Sequence, residues 1–488
     1  MRWLVVYVLV FNSIISQAGT SVITEGKSDS AGDSGKLIIR NVTFSGNKIT
    51  KDRIIQRELL FRENDTVNVE EISGLLQQSR KNLVNTSLFN FVTLDSIPVP
   101  GDPNQIDVHF TFIERWYIWP VPILEFADRN FNEWMKKKDL NRVNYGLFLT
   151  WNNFRGRREK LIVYARFGYD EKYELSYQIP YINRNQTWGF GVSAGSSQNH
   201  EIAYNSFKEY ADDETPDVSN KEVYYKSEHS YPKRTYFAYA ETYYRKGIHS
   251  LSWFKLGYND LLLSDTVVEL NPDYSFGSST RNQYLSFYYQ FKSDYRDYKQ
   301  YPLGGFYFDA ELDKKGLGFF HDPEVNTLSI KSTFRKYFKI RNRLYYALGL
   351  TGKVSPFWHQ PYYYLKGLGY GRDFVRGYEY YVIDGQHFGL LKNNLKLELV
   401  PTRVKNFNFI PTEKFSKLYY AIYLNLYSDL GYISDTRDNV LNPLANDLLV
   451  GYGLGIDLVT YYDWVIRFEY SFNKKGESGF FIHFMPSI

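Results

Sequence analysis

The stretch "WVIRFEYSFN", residues 464–473, alternates without a break. Trp464, Ile466, Phe468, Tyr470 and Phe472 share one face of an extended strand, and Val465, Arg467, Glu469, Ser471 and Asn473 share the other. An apolar face of this kind has to be covered. In a soluble protein the cover is a layer of helices or a second sheet. Working outward, the same alternation recurs in "NYGLFLTWNNF", "KLIVYARFGY", "YELSYQIPYI", "RTYFAYAETYY", "YLSFYYQF", "GGFYFDAEL" and "LYYALGLTG". After residue 119 there is no helical pattern of useful length, so helices cannot supply the cover.

Residues 119–488 hold about sixteen strand candidates, each with its connection taking about 23 residues. Short connections such as "RGRR", "NRNQ" and "IRNR" tend to alternate with long ones. The longest of the early ones, "SFKEYADDETPDVSNKE" (206–222), is acidic and expected to face the cell exterior. Even strand number, alternating loop length and aromatic residues at strand ends predict an all-β, antiparallel transmembrane barrel. A sheet crossing lipid must close, because each unpaired backbone group there costs several kcal/mol. The alternative is a very large soluble β-sandwich.

Bulk properties are compatible with a barrel. The chain has 488 residues, 18% aromatic content with 45 tyrosines, formal net charge +4 and no cysteine. A mean hydropathy of −0.43 would suit an ordinary soluble protein and does not exclude a barrel, whose lipid-facing and lumen-facing residues average to near neutral. The near-balanced charge gives no support to nucleic acid as a partner, and without cysteine there is no disulfide, thiolate metal site or cysteine nucleophile. At the N-terminus, Arg2 precedes the apolar run "WLVVYVLVF", and Ser16-Gln17-Ala18 offers a cleavage site. That run is short of the ~20 residues of a membrane span, so residues 1–18 are expected to be a secretory signal. Residues 19–36 are expected to be a flexible Ser/Gly-rich leader.

Residues 37–118 carry a different pattern. "KLIIRNVTFSGN" alternates like a strand. Thr50 is positioned to cap a first helix bearing Ile54, Ile55 and Leu59. Asn68 with Glu71 three residues on forms a capping-box pattern for a second helix, with Ile72, Leu75, Leu76 and Leu83 on one face. Two strands, "FNFVTLDSIPV" and "IDVHFTFIERW", follow. This β-α-α-β-β order, with "NVTFSGNKIT" at its front and "SLFNFVTL" after the second helix, resembles a POTRA domain. The resemblance implies a periplasmic α+β domain that receives client chains, by strand addition to its sheet edge.

"RDFVRGYEYYVIDG" (372–385) lies between strand candidates eleven and twelve, in the sixth outward loop. Val375-Arg376-Gly377-Tyr378 is similar to the "VRGF/VRGY" element of the BamA/TamA family of outer-membrane insertases and their two-partner-secretion relatives. In that family the loop folds back into the barrel and its arginine meets carboxylates on the inner wall of the next two strands. Alternation in "LLKNNLKLELV" and "YYAIYLNLYSDLG" independently puts Glu398 and Asp429 on the lumen face, at the positions where the resemblance places the partners. "ESGFFIHF" matches the family's terminal β-signal, with Glu477, Gly479, Ile482 and Phe484 in the four defined places. Pro486 cannot donate a ladder hydrogen bond, so the final strand is expected to lose pairing near its end and to weaken the seam with strand one.

Other motifs fall away. "GVSAG" (191–195) has the G-x-S-x-G spacing, but a polar loop follows it where a nucleophile elbow needs a helix. There is no HExxH or phosphate loop, and the eight histidines show no metal-ligand spacing. "ADDETPD" (211–217) reads as a solvated loop. No cofactor, metal or catalytic residue is expected. The resemblance therefore implies a non-enzymatic protein of a Gram-negative outer membrane. Its partners would be the lipid bilayer, unfolded outer-membrane client proteins and periplasmic accessory subunits. A single POTRA-like domain, where the main insertase carries several, makes a specialised or auxiliary role at least as fitting as the central one. The alternative is a protein-secretion or lipid-transport conduit of the same family; a passive porin would not account for the N-terminal domain or the arginine.

Overall fold

The computed structural model describes residues 35–126, 143–206, 220–227, 229–320, 325–356, 360–436, 442–460, 462, 464–486 and 488. The expected signal segment, nearly all of the leader and the acidic stretch 211–217 lie outside the described residues.

The N-terminal domain is a four-stranded sheet under two helices: β1 (Lys36–Ser45), α1 (Asp52–Gln56), β2 (Thr66–Asn68), α2 (Val69–Val84), β3 (Phe89–Val99) and β4 (Asp102–Glu114). The spatial order is β2-β1-β4-β3, with β1 and β4 parallel and β3 antiparallel to β4. Ile39, Ile54, Ile55, Leu76, Leu83, Phe89, Val108 and Phe110 close its core. Two cap expectations are corrected. Thr50 does not cap α1, because its hydroxyl is already engaged with the Tyr117 hydroxyl and the Asn153 amide. Asn68 is the N-cap residue of α2 but makes no side-chain cap bond. Nor does α1 reach Leu59.

Between residues 118 and 483, sixteen strands form one sheet in which each pairs antiparallel with its neighbours. The loop expected between strands eleven and twelve lies between Val354 and His387, the end of the eleventh strand and the start of the twelfth. Burial follows the two-residue period. On the thirteenth strand (Lys417–Ser434), Ala421, Tyr423, Asn425, Tyr427 and Asp429 are buried, and Leu424 and Leu426 are exposed. Leu147, Leu256, Ile330, Leu350, Leu395, Leu397, Leu454 and Ile456 are likewise exposed on the outer face. A soluble surface seldom carries an apolar patch beyond a few hundred Å², so a belt of this kind requires lipid.

Contacts across the interior curl the sheet on itself. In the turn between the eighth and ninth strands (Arg281–Asp294 and Gly305–Lys315), Tyr301 donates its hydroxyl hydrogen to Asp457, 2.7 Å away on the fourteenth strand (Leu448–Thr460). Trp119 of the first strand (Ile118–Phe126) packs edge-on against Tyr462, which follows the fourteenth, at 5.0 Å. Among the described residues no ladder joins the first strand to the sixteenth (Ser478–His483). The sixteenth strand ends opposite Arg467, leaving Trp464, Val465 and Ile466 of the fifteenth (Trp464–Asn473) without a partner on that side. Pro120 and Pro122 on the first strand suit this position, since proline in a sheet is confined to edges and bulges.

The N-terminal domain is clamped to the barrel mouth through Glu58, which is 1% exposed. Arg245, in the turn after the sixth strand (Lys233–Tyr244), donates to its two oxygens at 2.6 and 2.9 Å, and Arg158 donates at 3.3 Å. Burial alone would raise the Glu58 carboxyl, but the Arg245 guanidinium, with Arg158 and Arg57 behind it, brings it from 4.5 down to about 2. A carboxyl depressed in the folded state contributes its full stabilisation above pH 4.5 and loses it as the pH falls toward 2. Docking of the domain is therefore expected to hold at neutral pH and to release on acidification through that window. Spin labels on cysteines engineered into this cysteine-free chain, one on each body, measure it; Glu58→Gln removes the pH dependence.

Candidate functional site

The loop between Val354 and His387 drops into the barrel and builds its own small core there. Leu368, Val375, Tyr378, Tyr381 and Ile383 pack against Phe388, Leu390, Ile433 and Leu449 of the wall. Lys331 and Lys353 on the tenth and eleventh strands (Thr327–Arg341, Leu344–Val354) hold its flanks through Asp373 (2.7 Å) and the Lys366 carbonyl (2.6 Å). From above, Ser206 donates to Asp384 at 2.6 Å.

At the loop tip Arg376 and Asp429 are both fully buried. The guanidinium forks onto the carboxylate, with Nη2 2.5 Å from Oδ1 and Nε 2.8 Å from Oδ2, and the Arg376 backbone N–H adds a third bond at 3.1 Å. Nη2 also donates to Asn394 Oδ1 at 2.7 Å. Nη1 lies 3.5 Å from Glu469 Oε1, and the Tyr427 ring lies under the guanidinium at 3.9 Å. A bidentate, stacked geometry of this kind uses the whole planar fork, which lysine lacks.

Arg376 and Asp429 are thus brought together, and Glu398 is not. The second acid at the guanidinium is Glu469, on the fifteenth strand. Alternation assigns Glu398 to the correct face but says nothing about height. Glu398 lies four residues beyond Asn394, about 13 Å further along the strand at ~3.3 Å per residue, beside Tyr423 instead. Glu469 was visible as a lumen residue of "WVIRFEYSFN" but carried no sign that it shared a level with the loop tip.

The rest of the loop motif is packed tightly. Val375 and Tyr378 are buried. Gly377 has φ +91°, and its carbonyl accepts a bond from Asn473 Nδ2 at 2.8 Å. A Cβ on Gly377 would stand 2.8 Å from the Phe472 carbonyl. Two wall glycines, unremarked in the sequence, make the berth. A Cβ on Gly431 would come within 2.5 Å of Val375, and one on Gly451 within 1.7 Å of the Arg376 carbonyl oxygen.

Of the terminal-strand residues, Glu477 accepts the Tyr381 hydroxyl at 2.6 Å, tying the loop to the last hairpin. Gly479 faces the Phe481 ring, and Ile482 and Phe484 point outward. Pairing ends at His483, before Phe484 and two residues earlier than Pro486 alone would require. The chain then turns inward, so that Ile488 is buried against Tyr337 and Ala347 of the opposite wall.

Residues 37–115 match the POTRA family model, described as a surface antigen variable number repeat. Over 80 residues the chain is 26% identical to outer membrane protein assembly factor BamA of Neisseria meningitidis serogroup B. Residues 37–115 are thus a POTRA domain. The aligned segment covers 16% of this chain and 10% of the meningococcal protein. Among solved structures, CdiB from Escherichia coli superposes with a TM-score of 0.51 at 12% identity, covering 92% of this chain and 75% of CdiB. BamA from Haemophilus ducreyi lacking POTRA domains 1–3 gives 0.49 at 14% identity, with 93% and 84% covered. At 12% identity the likeness to CdiB concerns the fold alone.

Proposed function

We propose that this protein assists the insertion or assembly of β-barrel proteins in the outer membrane of a Gram-negative bacterium, with its POTRA domain on the periplasmic side. An unfolded client is received at the POTRA domain and templated at the barrel seam, with periplasmic accessory subunits as further partners. The observation that carries this reading is the unbridged seam. A barrel meant only to enclose a channel gains by sealing every edge, because backbone groups facing lipid unpaired cost several kcal/mol each. Here the sixteenth strand stops at His483 and, among the described residues, the first strand, with its two prolines, has a neighbour on one side only. An edge of this kind is a template for strand addition. The POTRA sheet offers a second edge in β3, where Ile97 is 57% exposed. The pinned loop keeps the rest of the wall in register while the seam works.

A conduit for protein or lipid is the second reading. It is favoured by a cavity of about 710 Å³ at the POTRA end, lined by Trp116, Trp119, Arg158, Lys160, Lys299 and Trp464. Depletion followed by outer-membrane proteomics separates the two. The assembly role expects many unrelated barrel proteins to fall together. Loss of one secreted partner with the barrels unchanged supports the conduit.

A further inference from the structure

Three acid–base side chains that the arginine pin does not fully use converge beside it. Glu379 comes from the loop, Glu469 from the fifteenth strand and His483 from the end of the sixteenth. One ligand atom from each lies within 4.8 Å of the other two. His483 Nε2 is 3.4 Å from Glu469 Oε2 and 3.7 Å from Glu379 Oε1. All three atoms are buried and none has a hydrogen-bond partner. The remaining oxygens are occupied: Glu469 Oε1 faces Arg467 at 3.2 Å and Arg376 at 3.5 Å, and Glu379 Oε2 accepts the Gly377 N–H at 2.7 Å. Leaving a buried polar atom unsatisfied costs about 1–3 kcal/mol. Three such atoms aimed at one point indicate a missing partner.

We propose that Glu379, Glu469 and His483 form a binding site for a divalent transition metal of the zinc class, which ties the inserted loop to the end of the last strand. Both His–Glu separations exceed the 2.7–3.2 Å of an N–H···O hydrogen bond, so the imidazole is not seated on either carboxylate. They match the edge of a tetrahedron whose centre is ~2.1 Å from each ligand, about 3.4 Å. One imidazole nitrogen and two carboxylate oxygens, with the fourth position left for water, is a zinc-type donor set. Calcium prefers six to eight oxygens, which this cluster does not offer. The His483 ring stacks on Phe374 at 5.5 Å, which restricts its plane. The location gives the metal its role: it fastens the strand where its ladder stops, independently of what the seam handles.

The test uses the full chain in detergent micelles, stripped with a chelator and titrated calorimetrically with zinc chloride. One saturable equivalent is expected. His483→Gln and Glu379→Gln are each expected to weaken it tenfold or more, about the loss that removing a ligand or its support produces, while the heat-modifiable gel shift persists. Glu469 is left intact because it also serves the pin. If one substitution prevents folding, the other carries the test alone. Absence of saturable binding in the native chain, or undiminished binding in the folded variants, overturns the proposal.

Discussion

Replacing Arg376 by alanine lowers the temperature at which the folded barrel loses its compact mobility on semi-native gels. The expected loss is about 3–5 kcal/mol, the cost of removing one partner from a desolvated pair. Two features place it toward the upper end. Asp429 is wholly buried and loses three donors at once, two from the guanidinium and, once the loop tip is displaced, the backbone N–H. Glu469 is also buried, and Arg467 then remains as its guanidinium neighbour. Arg376→Lys keeps the charge but not the fork, and its melting temperature should fall between those of the parent and the alanine variant. An unchanged gel transition in Arg376→Ala would show that the pair does not hold the barrel.

The second large effect comes from a residue with no side chain. In Gly451→Ala the new methyl would stand 1.7 Å from the Arg376 carbonyl oxygen. A backbone carbonyl cannot rotate away as a flexible side chain can, so the loop tip has to lift from the wall or the fourteenth strand has to bend. Either movement lengthens the Arg376–Asp429 contacts, because Asp429 and Gly451 are paired across the ladder. The destabilisation should approach that of Arg376→Ala. In a double-mutant cycle the two substitutions should be strongly non-additive, since each breaks the same seating. Additive losses would mean that Gly451 acts elsewhere.

Much of this was legible in the order of residues. A strict period of two identifies strands and assigns each side chain to lipid or lumen. The arginine-bearing loop was placed between strands eleven and twelve by counting alone. Face and family position agreed for both Asp429 and Glu398, and only Asp429 also lies level with the loop tip. What alternation lacks is the coordinate along the barrel axis. Stagger between neighbouring strands accumulates around the sheet, so Glu398 and Glu469, equally inward by pattern, sit at different heights. The same gap hid the Glu379–Glu469–His483 convergence. Metal motifs are recognised when ligands recur a few residues apart on one element, and these three come from three separate segments. Thr50 failed as a cap for a different reason: its hydroxyl serves a contact between the N-terminal domain and the barrel, which no local pattern reports.

The pin also dates itself within the history of the chain. Arg376 and Asp429 are 53 residues apart, and Arg376 and Glu469 are 93 apart, so the guanidinium has no seat until the thirteenth to fifteenth strands exist as a wall. Closing contacts over such distances comes after local hairpins in any folding order, because the chain entropy surrendered grows with the loop enclosed. Seating of Arg376 therefore marks the moment at which the thirteenth to fifteenth strands stand together as a wall.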